Sequence, residues 1–240
     1  MAGSFLRLIF LIGLFFCPQM GMKAQEVMLE MDSHNSVITK KAGLNHKSFG
    51  YLFFDYEVYA FKSATDLDVV AFKSRNFSIG YKRIFRLTDI YSVGGSLSFL
   101  NDSYTIRQGA SKTFPASQTH ESERVLTYNL SGEFYNRFIL KKDYDHLGIY
   151  FDLGVYGSFA AGSRHLMFDT VTDPGLQGKT QELKVKGLKY IEPFTGGLSF
   201  RLGLNRIAVV VHHRLSNWLK PSYGFAQPPK TSVGLELSIY

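Results

Sequence analysis

The sequence has one cysteine, Cys17, and no apolar run as long as a transmembrane helix. The apolar run near the N-terminus covers ten residues, 8–17, whereas a helix that crosses a bilayer needs about 20. Arg7 precedes this run, and a polar segment that ends near Ala24 follows it. This order is typical of a secretory signal peptide, so residues 1–24 are predicted to be removed by cleavage after Ala24.

Cleavage at this point would also remove the cysteine. Phe16 stands where a lipoprotein signal has a small residue before its cysteine, so Cys17 is not predicted to carry a lipid. The mature chain would then form no disulfide. An exported domain of this size without disulfides must be stabilised in some other way.

The net charge is moderate and is spread along the chain. Because Arg7 and Lys23 would leave with the signal peptide and no acid would leave, the formal charge falls from +7 to +5. The basic residues form no cluster, and the sequence has no nucleic-acid-binding module. Together with export, this argues against nucleic acid as a partner and favours a solvated surface or contact with anionic lipid headgroups.

The sequence shows neither the ligand spacing of a metal site nor a phosphate-binding loop. No metal-ligand spacing is present, because the histidines lie on separate predicted elements or at adjacent positions: His120, His165, His212 and His213. The glycine-rich segments "VGGSLS" and "GGLSFRLG" do not open a helix, so neither is a phosphate-binding loop. We therefore expect neither a metal nor a cofactor.

Aromatic residues and glycine are abundant: the chain has 21 Phe, 14 Tyr and 22 Gly. This composition favours strands and turns, and no window after the N-terminus has the pattern of a long amphipathic helix. From Phe49 onward, large apolar residues alternate with small or polar ones, as in "GIYFDLGVYGSF" at 148–159. Alternate strand residues point to opposite faces. Eight such two-faced segments are predicted, near residues 51–58, 77–82, 91–99, 126–138, 149–159, 194–202, 207–216 and 232–239.

The connections between these segments alternate between short and long. The long ones cover about 61–74, 101–122, 161–188 and 218–230. In an up-and-down arrangement of strands, this alternation places all the long connections at one end. Eight meandering strands can close on themselves, which removes exposed edges. Alternation continues near 161–169 and 181–189, which predicts a hairpin that projects beyond the closed strands and turns at 173–175.

Two closed architectures fit this pattern. A soluble barrel is polar outside and holds an apolar ligand, whereas a membrane barrel is apolar outside and polar within. One face of the segments has almost no charge in mid-strand, and the other carries small polar residues with a nearly balanced set of charges: Asp55, Glu57, Lys82, Glu133, Arg137, Asp152, Arg201, Arg214 and Glu236. Opposite charges can pair in a narrow interior, where unpaired charge is costly.

The sequence therefore predicts an all-β fold, an eight-stranded antiparallel up-and-down transmembrane β-barrel. Asp152 is expected to point inward, toward Arg137 on the neighbouring strand. A soluble exported barrel that binds a small apolar ligand is the alternative.

Residues 48–240 resemble small outer-membrane β-barrels of the OmpA, OmpX and OmpW kind, through the alternation of short turns and long loops and the closing strand "TSVGLELSIY". Those barrels usually end in an aromatic residue in phase with the apolar face, whereas Tyr240 is out of phase with Leu237 and Ile239. The resemblance implies a bacterial outer-membrane protein in contact with lipid and lipopolysaccharide. The polar residues 25–47 are predicted to form an N-terminal periplasmic linker.

The export junction "MKAQ" followed by a compact barrel also resembles the PorT-like barrels that accompany type IX secretion. The interior of an eight-stranded barrel is filled by side chains, so free diffusion of solutes is not expected. We expect a non-enzymatic protein that acts through the loops 101–122 and 161–188, or as a subunit of a larger envelope or secretion complex.

The stretch "VHHRLSNWLKPSYG", residues 211–224, resembles the His-x-Ser-Asn region of PagL-type lipid A deacylases. Such an enzyme needs a serine nucleophile, a histidine base and an orienting acid. The candidates here are His212, His213, Ser216 and Glu236. His213 and Ser216 would lie on opposite faces of a regular strand, and His212 and Ser216 share a face with Arg214 between them. An outer-membrane acyl hydrolase that modifies lipid A is therefore a second hypothesis.

Overall fold

The computed structural model describes most of the chain after residue 46. The described residues are 47–61, 63, 66–110, 112–141, 147–171, 175 and 178–240. The predicted signal peptide, 1–24, lies outside them, as does the predicted linker, 25–47, except for its last residue. Among the described residues, no helix is long and apolar enough to cross a membrane.

Antiparallel strands make up nearly all the regular structure in this part of the chain. They are β1 (Ser48–Val58), β2 (Arg75–Arg86), β3 (Tyr91–Ile106), β4 (Ser122–Lys141), β5 (Ile149–Thr170), β6 (Thr180–Lys186), β7 (Phe194–Leu204), β8 (Ile207–Arg214) and β9 (Thr231–Ile239). A short 3₁₀ turn, Pro221–Tyr223, lies between β8 and β9. The predicted all-β class is confirmed.

Eight of these strands form a closed ring. Each is antiparallel to its neighbours in the order β1–β2–β3–β4–β5–β7–β8–β9, and β9 pairs with β1 to complete the circle. Tyr56 of β1, for example, pairs with Phe77 of β2 on one side and with Leu235 of β9 on the other. Closure leaves no unpaired edge in the ring, an arrangement compatible with an up-and-down β-barrel.

The strand β5 is longer than the ring requires. Up to Phe159 it pairs with β7, and from Arg164 it pairs with β6 over seven residue pairs. Ala161 is an extra residue opposite β4, which makes a β-bulge where the strand leaves the ring. The predicted projecting hairpin is thus confirmed, while 173–174 of its predicted turn lie outside the described residues.

Two predicted loops have the wrong boundaries. Pairing between β3 and β4 continues to Ile106 and Glu123, so the connection predicted at 101–122 begins only after Ile106. Most of the connection predicted at 161–188 is strand as well. In both places a neighbouring strand of similar length satisfies the backbone hydrogen bonds, so pairing continues beyond the ring.

Side chains of the ring alternate between its outer face and its interior, as the sequence predicts. In β5, Asp152 is fully buried, whereas the next residue, Leu153, is 47% exposed. In β1, Asp55 is buried and Tyr56 is exposed. The ring therefore has an apolar outer face and a polar interior.

Two apolar clusters close the ends of this interior. The first, which we call the cap, lies at the end with the long connections and contains Tyr59, Leu67, Val69, Tyr104, Ile106, Phe114, Val125, Ile191, Trp218 and Leu219. The second lies at the short-turn end and contains Tyr51, Phe53, Ile84 and Tyr135. Tyr240 packs edge-on against Tyr51, with ring centroids 6.1 Å apart. The last residue is therefore out of phase because its ring turns into the interior.

Gly234 allows β9 to pass very close to β1. A Cβ atom here would lie 2.0 Å from the Tyr56 carbonyl oxygen and 2.5 Å from the Glu57 Cα. Both are backbone atoms, so no side-chain rotation could relieve the overlap. The missing side chain also leaves the space across β9 into which the Glu57 side chain extends.

Gly234→Ala is expected to destabilise the folded ring by about 2 kcal/mol, because overpacking a filled site costs roughly 1–3 kcal/mol. Gly157→Ala is the matched control, since a Cβ at Gly157 meets nothing within 4 Å. Urea unfolding followed by Trp218 fluorescence measures both variants. Equal unfolding midpoints for the two would contradict this interpretation of Gly234.

Candidate functional site

The middle of the interior holds a network of four charged side chains from four strands. Arg201 donates to both carboxylate oxygens of Glu133 at 2.6 Å and, through Nε, to Glu236 at 2.8 Å. Lys82 binds the same Glu236 at 2.5 and 2.6 Å and lies 4.4 Å from the centre of the Phe53 ring. All four side chains are at most 5% exposed. Two cations thus neutralise two carboxylates where water is largely excluded.

A second ion pair lies nearer the short-turn end. Arg137 donates two hydrogen bonds of 2.7 Å to the Asp152 carboxylate, the bidentate geometry that makes such pairs strong. Its guanidinium also lies 3.6 Å from the Tyr150 ring and 3.2 Å from the Tyr51 hydroxyl. Arg137 and Asp152 are direct cross-strand neighbours, so this pair could be predicted from the sequence.

A third group, which we call the acid–histidine cluster, contains Asp55, Glu57 and His212. Oε1 of Glu57 lies 2.7 Å from Nδ1 of His212, and its Oε2 accepts a 2.5 Å hydrogen bond from the Ser232 hydroxyl. Asp55 is buried, and its Oδ1 has no hydrogen-bond partner among the described residues. All three side chains line a cavity of about 50 Å³, which has room for a few water molecules.

Two further charged residues lie beneath the cap. Asp102 accepts hydrogen bonds from the Tyr59 hydroxyl at 3.0 Å and from the Asn129 amide at 2.9 Å. Arg214 donates to the Tyr104 hydroxyl at 2.8 Å. Since the two tyrosines belong to the cap, these hydrogen bonds tie the cap to the polar interior.

Glu123 organises a separate polar cluster beside the cap, beyond the ring. Its carboxylate lies 2.6 Å from Nε2 of His165, accepts a 2.8 Å hydrogen bond from Gln108 and forms an ion pair with Lys112. Burial by itself would raise the pKa of Glu123. The hydrogen bonds from these partners outweigh burial and hold that pKa below its ordinary value of 4.5.

All nine charged residues predicted for the interior have buried side chains. Six of them form ion pairs with one another there, Glu57 lies beside the His212 ring, Arg214 binds a tyrosine hydroxyl, and Asp55 retains an oxygen without a partner. Sequence reasoning missed Asp102, Glu123 and His165, because these residues lie in or beside segments assigned to loops. Continuing the alternation past residue 100 would have placed Asp102 inside.

The four residues proposed for a hydrolase do not come together as a catalytic group. The Ser216 hydroxyl accepts a 2.8 Å hydrogen bond from the Gly196 backbone N–H. His213 is exposed and its Nδ1 contacts a threonine hydroxyl at 2.9 Å. The other two candidates, His212 and Glu236, are held by partners in the interior. The hydrogen bond between nucleophile and base that the hypothesis requires is therefore not formed among these side chains.

Comparison with family models and curated proteins gives no match, so a function has to be inferred from the geometry. No family model matches the chain, and no curated protein matches it significantly. The polarity of the ring, its charge networks and the elements at its long-loop end are therefore the features from which a function can be inferred.

Arg137→Met would leave the Asp152 carboxylate buried without its cation, and is expected to lower the free energy of unfolding by about 3–5 kcal/mol. The double variant Arg137→Met/Asp152→Leu removes both charges and is expected to recover most of that loss. Arg107→Met is the control, because its pair with Asp68 is more than half exposed and surface pairs contribute about 0–1 kcal/mol. Urea unfolding measures all three, and a double variant as unstable as the single one would contradict the account.

The lowered pKa of Glu123 predicts how the stability of the cap depends on pH. A carboxylate whose pKa is lowered in the folded protein contributes stability above its ordinary value of 4.5, and that contribution is lost as the pH falls through the folded-state pKa. Glu123→Gln should therefore weaken the cap near neutral pH and match the wild type in strong acid.

Trp218 is the chain's one tryptophan and belongs to the cap, so its fluorescence during urea titration at about pH 7 and about pH 3 measures this effect. Glu182→Gln, on the exposed strand β6, is the control. A difference between Glu123→Gln and wild type that grew toward acid pH would contradict the assignment.

Proposed function

We propose that this chain is an integral outer-membrane β-barrel protein that acts without catalysis, through its long-loop end or as a subunit of a larger envelope complex. The observation that carries the proposal is the polarity of the ring, which is apolar outside and ionic within. A soluble barrel has the opposite arrangement, whereas a membrane barrel has this one. The predicted signal peptide adds export from the cytoplasm, and the partners of the outer face would be lipid and lipopolysaccharide.

The exposed apolar side chains form a belt around the ring, to which each of the eight strands contributes. The belt contains Leu52, Tyr56, Phe77, Ile79, Tyr81, Leu97, Phe99, Leu130, Phe134, Leu153, Val155, Leu198, Phe200, Leu202, Val209, Leu235, Leu237 and Ile239. Soluble monomers rarely expose a contiguous apolar patch above a few hundred Å². A belt of this extent in water would drive aggregation, so acyl chains are its appropriate solvent.

The short-turn end of the belt has the residues expected at a lipid–water interface. The Arg83 guanidinium lies 5.4 Å from the exposed Phe85 ring, and Arg206 is exposed in the turn between β7 and β8 at the same end. Long basic side chains and aromatic rings are favoured at headgroup level. The strands β1, β7 and β9 have 9–11 residues, the length of about 9–11 residues with which a tilted strand crosses the hydrocarbon layer.

The interior is unsuited to the passage of solutes, because charge networks fill its middle and apolar clusters close its ends. What remains accessible is the long-loop end, where the β5–β6 hairpin projects and β6 is exposed along its whole length. Loops held by a rigid scaffold commonly carry recognition. We therefore assign the interaction with other envelope components to this end of the protein.

Leu153→Arg and Leu183→Arg distinguish a membrane-embedded belt from an ordinary exposed surface. The two leucines are similarly exposed, 47% and 54%, but Leu153 lies in the belt and Leu183 lies on the projecting strand β6. An arginine in the bilayer-facing belt should cost about 2–4 kcal/mol, whereas an arginine on β6 should be nearly neutral. Refolding into phospholipid vesicles under urea titration gives the stabilities, and cell fractionation gives the yield in the outer membrane.

Equal stabilities and yields for the two variants would overturn the proposal. So would a wild-type chain that is folded and monomeric in buffer without detergent or lipid, because the belt would then be compatible with water.

A further inference from the structure

Three side chains of the kinds that bind metals converge inside the ring, in the acid–histidine cluster. Asp55 and Glu57 lie two residues apart on β1 and therefore face the same side. His212 comes from β8, on the far side of β9, and meets Glu57 across Gly234. One oxygen from each acid and one imidazole nitrogen all lie within 4.8 Å of one another. Glu57 and His212 are 155 positions apart in the chain, so motif spacing could not reveal the cluster.

Asp55 is buried with one of its two carboxyl oxygens left unsatisfied. It is only 2% exposed, yet its Oδ1 has no hydrogen-bond partner in the described part of the chain. Buried polar atoms without partners are uncommon and costly, so such an atom needs an explanation. Asn76 pairs directly with Glu57 in the β1–β2 ladder and lines the same cavity, and its Oδ1 likewise lacks a partner. Two unsatisfied oxygens thus lie beside the Glu57–His212 pair.

Buried acidic groups also outnumber the buried lysines and arginines among the described residues. Among the described residues the buried carboxyl groups are those of Asp55, Glu57, Asp102, Glu123, Glu133, Asp152 and Glu236, and the buried permanent cations are Lys82, Lys112, Arg137, Arg201 and Arg214. Seven buried carboxyl groups therefore face five buried permanent cations. Four carboxylates are paired with lysine or arginine. Asp102 and Arg214 both lie beneath the cap, where each is hydrogen-bonded to a tyrosine hydroxyl. The two that remain, Asp55 and Glu57, are those of the acid–histidine cluster.

We infer that the acid–histidine cluster binds one divalent cation, with Asp55, Glu57 and His212 as its ligands and Zn²⁺ as the ion that fits best. Carboxylate oxygen together with imidazole nitrogen suits Zn²⁺, whereas Ca²⁺ and Mg²⁺ prefer oxygen ligands alone. A double positive charge would balance the charges of both acids when they ionise to bind the ion. The inference goes beyond the proposed function and does not depend on the bilayer.

Neighbouring side chains hold two of the three proposed ligands, Glu57 and His212, in place. The Ser232 hydroxyl donates to Oε2 of Glu57 at 2.5 Å, and the Tyr156 ring packs edge-on against the His212 ring at 5.1 Å. Contacts of this kind orient the groups that bind a metal. The adjoining cavity of about 50 Å³ has room for a water molecule as a further ligand.

Zinc binding is tested on the whole mature chain, stripped of metal while unfolded and then refolded with or without ZnCl₂, so that the cap cannot prevent entry. Elemental analysis after gel filtration counts the bound ion, and competition with a fluorescent zinc chelator gives the affinity. The wild type is expected to bind one Zn²⁺ per chain, and Asp55→Asn and His212→Gln to bind at least roughly 100-fold more weakly. His213→Gln is the matched control, because this neighbouring histidine is exposed and outside the cluster; its binding should equal that of the wild type.

The urea midpoint supplies a second readout that separates metal binding from folding. Asp55→Asn keeps the shape of the side chain and removes a buried acid that lies beside a second acid, Glu57, so without zinc this variant should be at least as stable as the wild type. Zinc should raise the midpoint of the wild type and of His213→Gln, and leave that of Asp55→Asn unchanged. A wild type that binds no stoichiometric zinc, an Asp55→Asn variant that binds zinc normally, or loss of binding in His213→Gln would each overturn the inference.

Discussion

Mutual neutralisation of charges inside a narrow ring is the interaction on which the rest of this structure depends. A buried ion that loses its partner costs several kcal/mol, so each interior cation constrains where its carboxylate must lie. Arg201 alone connects β7 to Glu133 on β4 and to Glu236 on β9. A slip of one residue in any strand would turn its charged side chains to the outer face. We interpret the networks as a device that holds all eight strands in one register.

The same alternation that turns ions inward turns apolar side chains outward, so the belt and the networks are two consequences of one pattern. This is why the proposed bilayer environment and the ionic interior support each other. The clusters at the two ends and the filled middle then leave the long-loop end as the accessible region. The cap connects these parts, because Tyr59 and Tyr104 pack within it and also contact interior polar groups.

The alternation of apolar and polar residues along the sequence is enough to predict those features of the fold that involve neighbouring strands. The inward direction of Asp152 and its pairing with Arg137 could be predicted, since directly opposed residues share a face. Contacts between strands that are not neighbours, such as Glu57 with His212, could not, because they depend on the curvature of the closed ring and on the space over Gly234. The hydrolase hypothesis rests mainly on residues close in sequence, 212–216, and the alternation of β8 sends His212 and His213 in opposite directions.

The central claim, that the outer face contacts acyl chains, is tested most directly by spin labels. Outside the predicted signal peptide the chain has no cysteine, so single labels can be attached at Leu153→Cys and Leu183→Cys in protein reconstituted into vesicles. The account predicts that the label at 153 collides with oxygen, which concentrates in lipid, and is shielded from a water-soluble nickel chelate, whereas the label at 183 is accessible to the chelate. Free access of the chelate to position 153 would contradict it.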